Sequence, residues 1–369
     1  MISVEALRTR SFRNLADQEL RLGEGVTLLW GRNGAGKTNL LEALYAALSG
    51  RSCRTRSERE TIAFGQPFAR AEVTVAAEGE RREFTFFCGR SEGRRHLLNG
   101  SPAPPEAAAQ RPSLAVFMPD RLALVKGPPA ARRSHLDGFA AAMWPARAEA
   151  RRRYARALAQ RNALIARVRA GAARSDSLGA WDRELAAAGV ELVRAREAAV
   201  GALAERFATA ADELGLAEAS LRYLPRSDAP DADALARELE ERREADLARG
   251  YTTHGPHLDE LALESAGRSL RRYGSQGQQR TALLALLFAE RDALVDERRV
   301  PPLMLLDDVT SELDPERREL LCERLLRGGG QALITATDRS HLPESCPRLE
   351  LAVRDGRALG SLEGEVEAA

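Results

Sequence analysis

Lysine is almost missing from this chain: among 55 basic residues only Lys37 and Lys126 are lysines, and the rest are arginines. A G+C-rich genome would be enough to produce such a bias, which makes each surviving lysine worth a question. Net charge is also missing, with 55 basic against 54 acidic side chains. No global field marks a nucleic-acid binder, so any such binding must come from a local patch. The four cysteines (Cys53, Cys88, Cys322, Cys346) are far apart with no C-x-x-C pair, which suggests neither a zinc cluster nor a disulfide framework and reads as packing or surface thiols. Long apolar runs are absent too. The stretch 281–288 falls far short of the ~18–20 residues that cross a bilayer. No basic-then-apolar leader follows Met1, so a cytoplasmic protein is expected.

What is present is enough for a sizeable core. The 369 residues suggest two to three domains and exclude a secreted mini-protein. Apolar residues at 44%, charged residues at 30% and aromatics at only 5% fit a soluble, helix-rich globular chain and not a disordered one.

Strand patterns come first, over residues 2–7, 26–30, 71–75, 83–87 and 114–117, followed by a loop at 119–129 that holds the second lysine. From about 138 to 250 the composition turns to Ala, Arg, Glu and Leu, with one strand pattern near 221–224. Tyr154, Leu158, Ile165 and Val168 form a stripe interrupted by Arg161, and Trp181, Leu185, Ala188 and Leu192 repeat the spacing. Two helices joined by the polar turn 171–177 would make an antiparallel hairpin, or would share an ordinary bundle core. A helix of ~30 residues reaches only ~45 Å at 1.5 Å per residue, so this arm is short. Beyond 250, helices at 278–296 and 315–326 and strands at 303–306 and 332–335 are expected.

Three motifs carry chemistry. Gly31-Arg32-Asn33-Gly34-Ala35-Gly36-Lys37-Thr38 matches G-x-x-x-x-G-K-[ST] after a buried strand and before a helix at 39–48. In that setting the glycines let backbone N–H groups face a β-phosphate, Lys37 meets the β- and γ-phosphates, and the Thr38 hydroxyl ligates Mg2+. A plain glycine turn would lack the flanking strand and helix. The apolar run 303–306 ends in Asp307 and Asp308, as a Walker B strand does. Asp307 would hold Mg2+ and Asp308 would orient or deprotonate the attacking water, although paired strand-end carboxylates also serve as helix caps. Between the two lies Gly274-Ser275-Gln276-Gly277-Gln278-Gln279-Arg280, ahead of a helix. It reads either as a polar cap or as a second anion site, in which Ser275, Gly277 and Gln278 meet a γ-phosphate held by another molecule. Ser311-Glu312-Leu313-Asp314 follows. Phosphate loop, signature, Walker B and D-loop, in that order, are the marks of ABC-type ATPases.

With these motifs in place the chain resembles the RecF family of bacterial recombination mediators, related to the SMC and Rad50 ATPases. The resemblance rests further on Phe12-Arg13-Asn14-Leu15, on Asn39-Leu40-Leu41-Glu42-Ala43, on Lys126-Gly127-Pro128-Pro129 with Arg132-Arg133 and Leu136-Asp137, on Gln160-Arg161-Asn162-Ala163-Leu164, on Trp181-Asp182-Arg183-Glu184-Leu185 and on Thr253-His254-Gly255-Pro256-His257. It spans nearly the whole chain, helical insert included. It implies an α/β fold, an ABC-type ATPase head (lobe I) with an inserted helical lobe II forming a short arm. The corresponding segments are 1–137 with Walker A, 138–250 as lobe II, and 251–369 with signature, Walker B and D-loop.

The resemblance also implies that Arg13, Asn14 and Asn39 border ATP and that Thr337 stands near the γ-phosphate, where many ABC proteins have a switch histidine. Residues 334–338 contain none, so ATP hydrolysis should be weak. No glutamine at 117–121 suits a Q-loop. The implied partners are DNA at gaps and junctions, a second copy of the chain bound through ATP, and RecR, acting with RecO to load RecA and support the SOS response.

Smaller features have two readings each. His254 and His257 flank Gly255-Pro256, which prevents a helical metal face and favours a packed loop. Residues 147–169 hold eight arginines and one glutamate, among them Arg151, Arg152 and Arg153. They make either a DNA-contacting face or a solvated one. Arg51, Arg54, Arg56 and Arg59 are a second basic cluster. Two other function classes are weighed. A transporter ATPase subunit would keep loop and signature close, whereas Thr38 and Ser275 lie 237 positions apart. An SMC-type tether would need hundreds of heptad residues. DNA mobility shift with ATP favours the first reading, membrane co-fractionation the transporter.

Overall fold

The computed structural model describes residues 2–360 except 56, 78, 105, 106, 108, 109, 119–121 and 328, together with the side chain of Glu312. In chain order the first elements are β1 (Ile2–Arg10), β2 (Gln18–Arg21), β3 (Val26–Trp30), α1 (Lys37–Ser49), β4 (Phe68–Ala77), β5 (Glu80–Gly89), β6 (Gly93–Leu98), β7 (Ser101–Pro102) and β8 (Leu114–Phe117). Next come α2 (Ala123–Lys126), α3 (Pro129–Met143), α4 (Ala148–Arg169), α5 (Leu178–Glu213), β9 (Ala219–Leu224), α6 (Ala232–Glu241), α7 (Arg243–Arg249), β10 (Glu260–Ser265), β11 (Arg268–Ser269), α8 (Leu270–Tyr273) and α9 (Gln276–Arg298). The chain closes with β12 (Leu303–Leu306), α10 (Pro315–Arg327), β13 (Ala332–Ala336), β14 (Arg348–Arg354) and β15 (Arg357–Gly360).

Two compact units emerge, Met1–Arg121 with Leu294–Ala369, and Leu122–Ala293. Composition alone drew lines at 137/138 and 250/251, whereas contacts draw them at 121/122 and within α9. The reason is pairing that composition does not reveal. Arg132 on α3 is buried and forked onto Glu260 at 2.7 and 2.8 Å, and β10 pairs antiparallel with β9.

The first unit contains two six-stranded sheets. One, in order β2-β1-β4-β5-β6-β7, is antiparallel. The other has the order β15-β14-β3-β13-β12-β8, with its five strands from β14 to β8 parallel and β15 an antiparallel edge. Its inner strands β3, β12 and β13 are buried on both faces, as parallel strands covered on both sides must be. Leu40, Leu41, Leu44 and Leu48 of α1 are wholly buried in the same core as Val73, Phe84 and Phe86. Because β13 lies between β3 and β12, the ends of all three strands open on one edge, where ligands bind in open α/β sheets.

In the second unit α4 and α5 pack side by side, joined by residues 170–177, but the stripe is not a two-helix seam. Tyr154, Ala157, Leu185, Ala188 and Leu192 share their cluster with Leu235 and Leu239 of α6, a bundle core. Arg161, the interruption in the stripe, is wholly buried. Its guanidinium donates to Asp182 at 2.7 Å, Asp246 at 2.6 Å and Thr252 Oγ1 at 2.8 Å. Asp182 also holds Arg243 at 2.6 Å, and Asp246 accepts from the backbone and hydroxyl of Thr253 at 2.8 and 2.7 Å. This network ties α4, α5 and α7 to the segment after Gly250.

Candidate functional site

The phosphate loop lies between β3 and α1, as its spacing requires. Gly36 sits at φ 111° as the N-cap of α1, a conformation that L side chains avoid. A Cβ there would also come within 3.0–3.3 Å of Leu15, Gly356 and Asn14. α1 has no side-chain cap and no acidic residue in its first turn, so its leading N–H groups are left for an anion. Lys37 is buried, and its ammonium donates to the carbonyls of Gly31 at 2.6 Å and Arg32 at 3.0 Å. Burial pushes its pKa down from the ordinary lysine value, against the pull of Asp308 and Asp307.

The end of β12 meets this loop directly. The Thr38 hydroxyl lies 2.8 and 3.0 Å from the two carboxylate oxygens of Asp307. Burial pushes Asp307 above the ordinary carboxylate range; hydrogen bonds from Thr335 and Thr38 pull it back, and the charge of Asp308 adds to the rise. Asp308 has a left-handed backbone, φ 51°, and its buried Oδ1 has no hydrogen-bond partner.

Thr335, at the end of β13, is a residue the sequence did not single out. It is wholly buried. Its hydroxyl donates to Asp307 Oδ1 at 2.7 Å and accepts from the backbone N–H of Asp308 at 2.9 Å, so one side chain fixes both carboxylate residues. Nothing but its place two residues before Thr337 could have pointed to it. Thr337 is half-buried beyond the strand end; it is Thr335 that lines the cleft.

Arg13 and Asn14 are at the cleft. Asn14 donates to the carbonyl of Gly34 at 3.0 Å and accepts from Asn39 at 2.7 Å. Arg13 forks onto the wholly buried Glu42 at 2.8 and 3.1 Å, and Arg54 reaches Glu42 at 3.3 Å and Asn39 at 2.8 Å. The full cleft, about 1080 Å3, is lined by Arg13, Asn14, Asn39 and Arg54 with Asn33, Gly34, Gly36, Lys37, Thr38, Asp307, Asp308 and Thr335 at its phosphate side. Arg59, Phe64 and Arg90 also line it. Two members of the second basic cluster, Arg54 and Arg59, therefore belong to this cleft; Arg51 is exposed and Arg56 lies outside the described residues.

Ser275 caps α9. Its hydroxyl accepts from the N–H of Gln278 at 3.2 Å, and the Gln278 side chain accepts from the N–H of Ser275 at 2.9 Å, a reciprocal capping box. The cap reading of this motif is thus realised, and Ser275, Gly277 and Gln278 are all exposed, free to meet another molecule as well. Asp314 of the D-loop caps α10 through the N–H of Arg317 at 2.9 Å.

Four of the eight arginines at 147–169 carry ion pairs. Arg151 lies 3.6 Å from Asp137, Arg152 2.6 Å from Glu149 and Arg153 2.9 Å from Glu191, and Arg161 is spent inside the network described above. His254 pairs with Glu238 at 2.5 Å, while His257 bonds the Tyr154 hydroxyl at 2.7 Å and the Thr252 carbonyl at 3.0 Å. Among the described residues no group of three His, Cys, Asp or Glu side chains is arranged to hold a metal, and no helix is long and apolar enough to cross a membrane.

Comparison with known proteins matches residues 3–352 to the RecF/RecN/SMC N terminal domain. The DNA replication and repair protein RecF of Anaeromyxobacter sp. (strain Fw109-5) is 39% identical over 345 residues, covering 90% of this chain and 92% of the relative. The solved structure of the recombination mediator protein RecF with ATP, of the RecFOR pathway, superposes with a TM-score of 0.84 at 26% identity, covering 97% of each chain. The Smc head domain of Pyrococcus furiosus shares the fold, with a TM-score of 0.60 at 16% identity over 100% of this chain and 98% of that one.

Proposed function

The chain belongs to the RecF family, and from that premise we propose that it is an ATP-switched DNA-binding protein of recombinational repair and replication restart. The observation that carries this reading is the convergence of Lys37, Thr38, Asp307, Asp308 and Thr335 on one cleft. The uncapped start of α1 and the buried ammonium suit a triphosphate. A hydroxyl beside a buried carboxylate, with an unpartnered carboxylate oxygen next to it, suits Mg2+. Thr38 and Asp307 would hold that ion, which neutralises charge on the β- and γ-phosphates when bound.

In this reading Lys37 meets the phosphates as a compact ammonium, and Asn14 and Asn39 brace the loop through the carbonyl of Gly34. Arg13 is held on Glu42 at the cleft's edge. Asp308 orients the attacking water and takes its proton, with turnover kept slow by the lack of a histidine at 334–338. The segments Met1–Arg121 and Leu294–Ala369 serve as the ATPase head. Ser275, Gly277 and Gln278 meet the γ-phosphate bound by a second copy, so that ATP closes a homodimer on DNA and hydrolysis opens it. The solved relative's place in the RecFOR pathway supports RecR and RecO as partners, upstream of RecA. α5, at 36 residues or about 54 Å at 1.5 Å per residue, is too short for a long-range tether.

The test is a mobility shift with gapped duplex DNA, with and without Mg-ATP. Binding that requires ATP and is lost in Lys37→Met supports the reading. Equal binding without nucleotide contradicts it.

A further inference from the structure

Phe64 is the most exposed large hydrophobic side chain among the described residues, at 105% of its reference area against 70% for Tyr273. It nevertheless lines the nucleotide cleft, together with Arg59 and Arg90. An exposed aromatic on a mobile tip would mean little, but this one is held at a built corner. The N–H of Gln66 donates to the carbonyl of Ala63 at 3.0 Å, and Gly65 has φ 77°. That places Phe64 at the second position and Gly65 at the third of a type II turn, which demands glycine there.

The corner is anchored on three sides. The N–H of Ala63 donates to Ser11 at 2.9 Å, the N–H of Arg13 donates to Thr61 at 2.7 Å, and Phe12 bridges Ile62. Arg90 donates through Nε to the carbonyl of Gln66 at 2.9 Å and lines the same cleft as Phe64. The corner is therefore tied to the phosphate loop by way of Arg13 and Asn14, not by way of the carboxylates. A triphosphate between Lys37 and Asp307 leaves its nucleoside to the remaining lining of the cleft.

We propose that Phe64 is the stacking platform for the purine base of the bound nucleotide, with Arg90 beside it as a second planar partner. A rigid turn that presents a bare phenyl ring to a polyanion site gains from a flat aromatic ligand and from little else: base-on-aromatic stacking is tolerant of base identity, and a guanidinium adds a cation–π contribution. The assignment rests on the nucleotide reading of the cleft, and it adds which residue tells a nucleotide from a bare polyphosphate.

The test compares two probes, Mg-ATP and inorganic tripolyphosphate with Mg2+, by calorimetric titration of the full chain. Phe64→Ala should weaken ATP about tenfold, within the range that stacking supplies, and leave tripolyphosphate within about twofold; Phe64→Trp should restore ATP. Since the ring buries nothing in the free chain, the alanine variant should unfold at the parent's temperature. ATP affinity unchanged in Phe64→Ala overturns the proposal, as does equal loss of both probes. So does normal ATP binding with failed dimerisation, which moves Phe64 to a subunit interface. Failure of the underlying reading looks different: the parent binds neither probe, or Lys37→Met binds both.

Discussion

Replacing Thr335 by valine removes one oxygen and keeps the shape, so its effect isolates what that hydroxyl does. In the parent it donates to Asp307 at 2.7 Å and accepts from the N–H of Asp308 at 2.9 Å, wholly buried. Valine leaves a buried carboxylate without one of its donors and a backbone N–H without its acceptor. A hydrogen bond to a charged group is worth about 1.5–3 kcal/mol and an orphaned buried donor costs about 1–3 kcal/mol. Asp307 keeps its contact with Thr38, which offsets part of the loss. The expected cost is therefore about 2–4 kcal/mol in denaturant unfolding. Asp308, held at φ 51°, would lose its anchor, so ATP turnover should fall about tenfold or more while ATP affinity changes less, the pattern of a positioning residue. Thr335→Ser keeps the oxygen and should retain most of the turnover. A valine variant within about 0.5 kcal/mol of the parent, turning over normally, would refute the role.

Three further outcomes follow from the same geometry. Arg161→Met should destabilise the helical unit by about 3–5 kcal/mol, because Asp246 is left buried without its cation; unchanged hydrogen exchange at 243–253 would contradict this. Ser275→Arg should keep ATP binding but block ATP-dependent dimerisation, and mixing it with Lys37→Met should restore one complete site. Loss of ATP binding in isolated Ser275→Arg monomers would instead place Ser275 in its own chain's pocket. Burial pushes His257 below the ordinary histidine range. Its neutral folded form therefore contributes stability in full above the unfolded value of about 6.5, and loses it as pH falls from there through the folded value. Protection of the α4 amides around Tyr154, which His257 bonds, should fall relative to the unstructured exchange rate at each pH as pH drops below about 6.5, and His257→Gln should flatten that dependence; a slope equal to the parent's would remove His257 as its source.

The sequence disclosed the parts of this site that have a fixed spacing, and it hid the parts made by long-range pairing. Residues 31–38 and 307–308 could be read because phosphate chemistry demands glycines, one lysine and a strand-end carboxylate at set offsets. Thr335 could not, since a threonine ending a buried strand looks like core until β13 is placed between β3 and β12. Arg161 was counted with the surface cations because nothing local distinguishes it; Asp182 and Asp246, 21 and 85 residues away, are what bury it. The same applies to the unit boundary, where α3 shares its composition with the head but its buried Arg132 reaches forward to Glu260. Tyr154 and Leu185 were legible as core from periodicity, whereas the third helix that completes their cluster was not.

In the proposed mechanism ATP joins two chains, the phosphate loop of one facing Ser275 of the other. Size-exclusion chromatography with light scattering measures it directly, on the parent and on Lys37→Met, with and without Mg-ATP and duplex DNA. The expected masses are one chain without nucleotide, two with Mg-ATP, and one for Lys37→Met under every condition. A parent that keeps the same mass with and without Mg-ATP and DNA would contradict it.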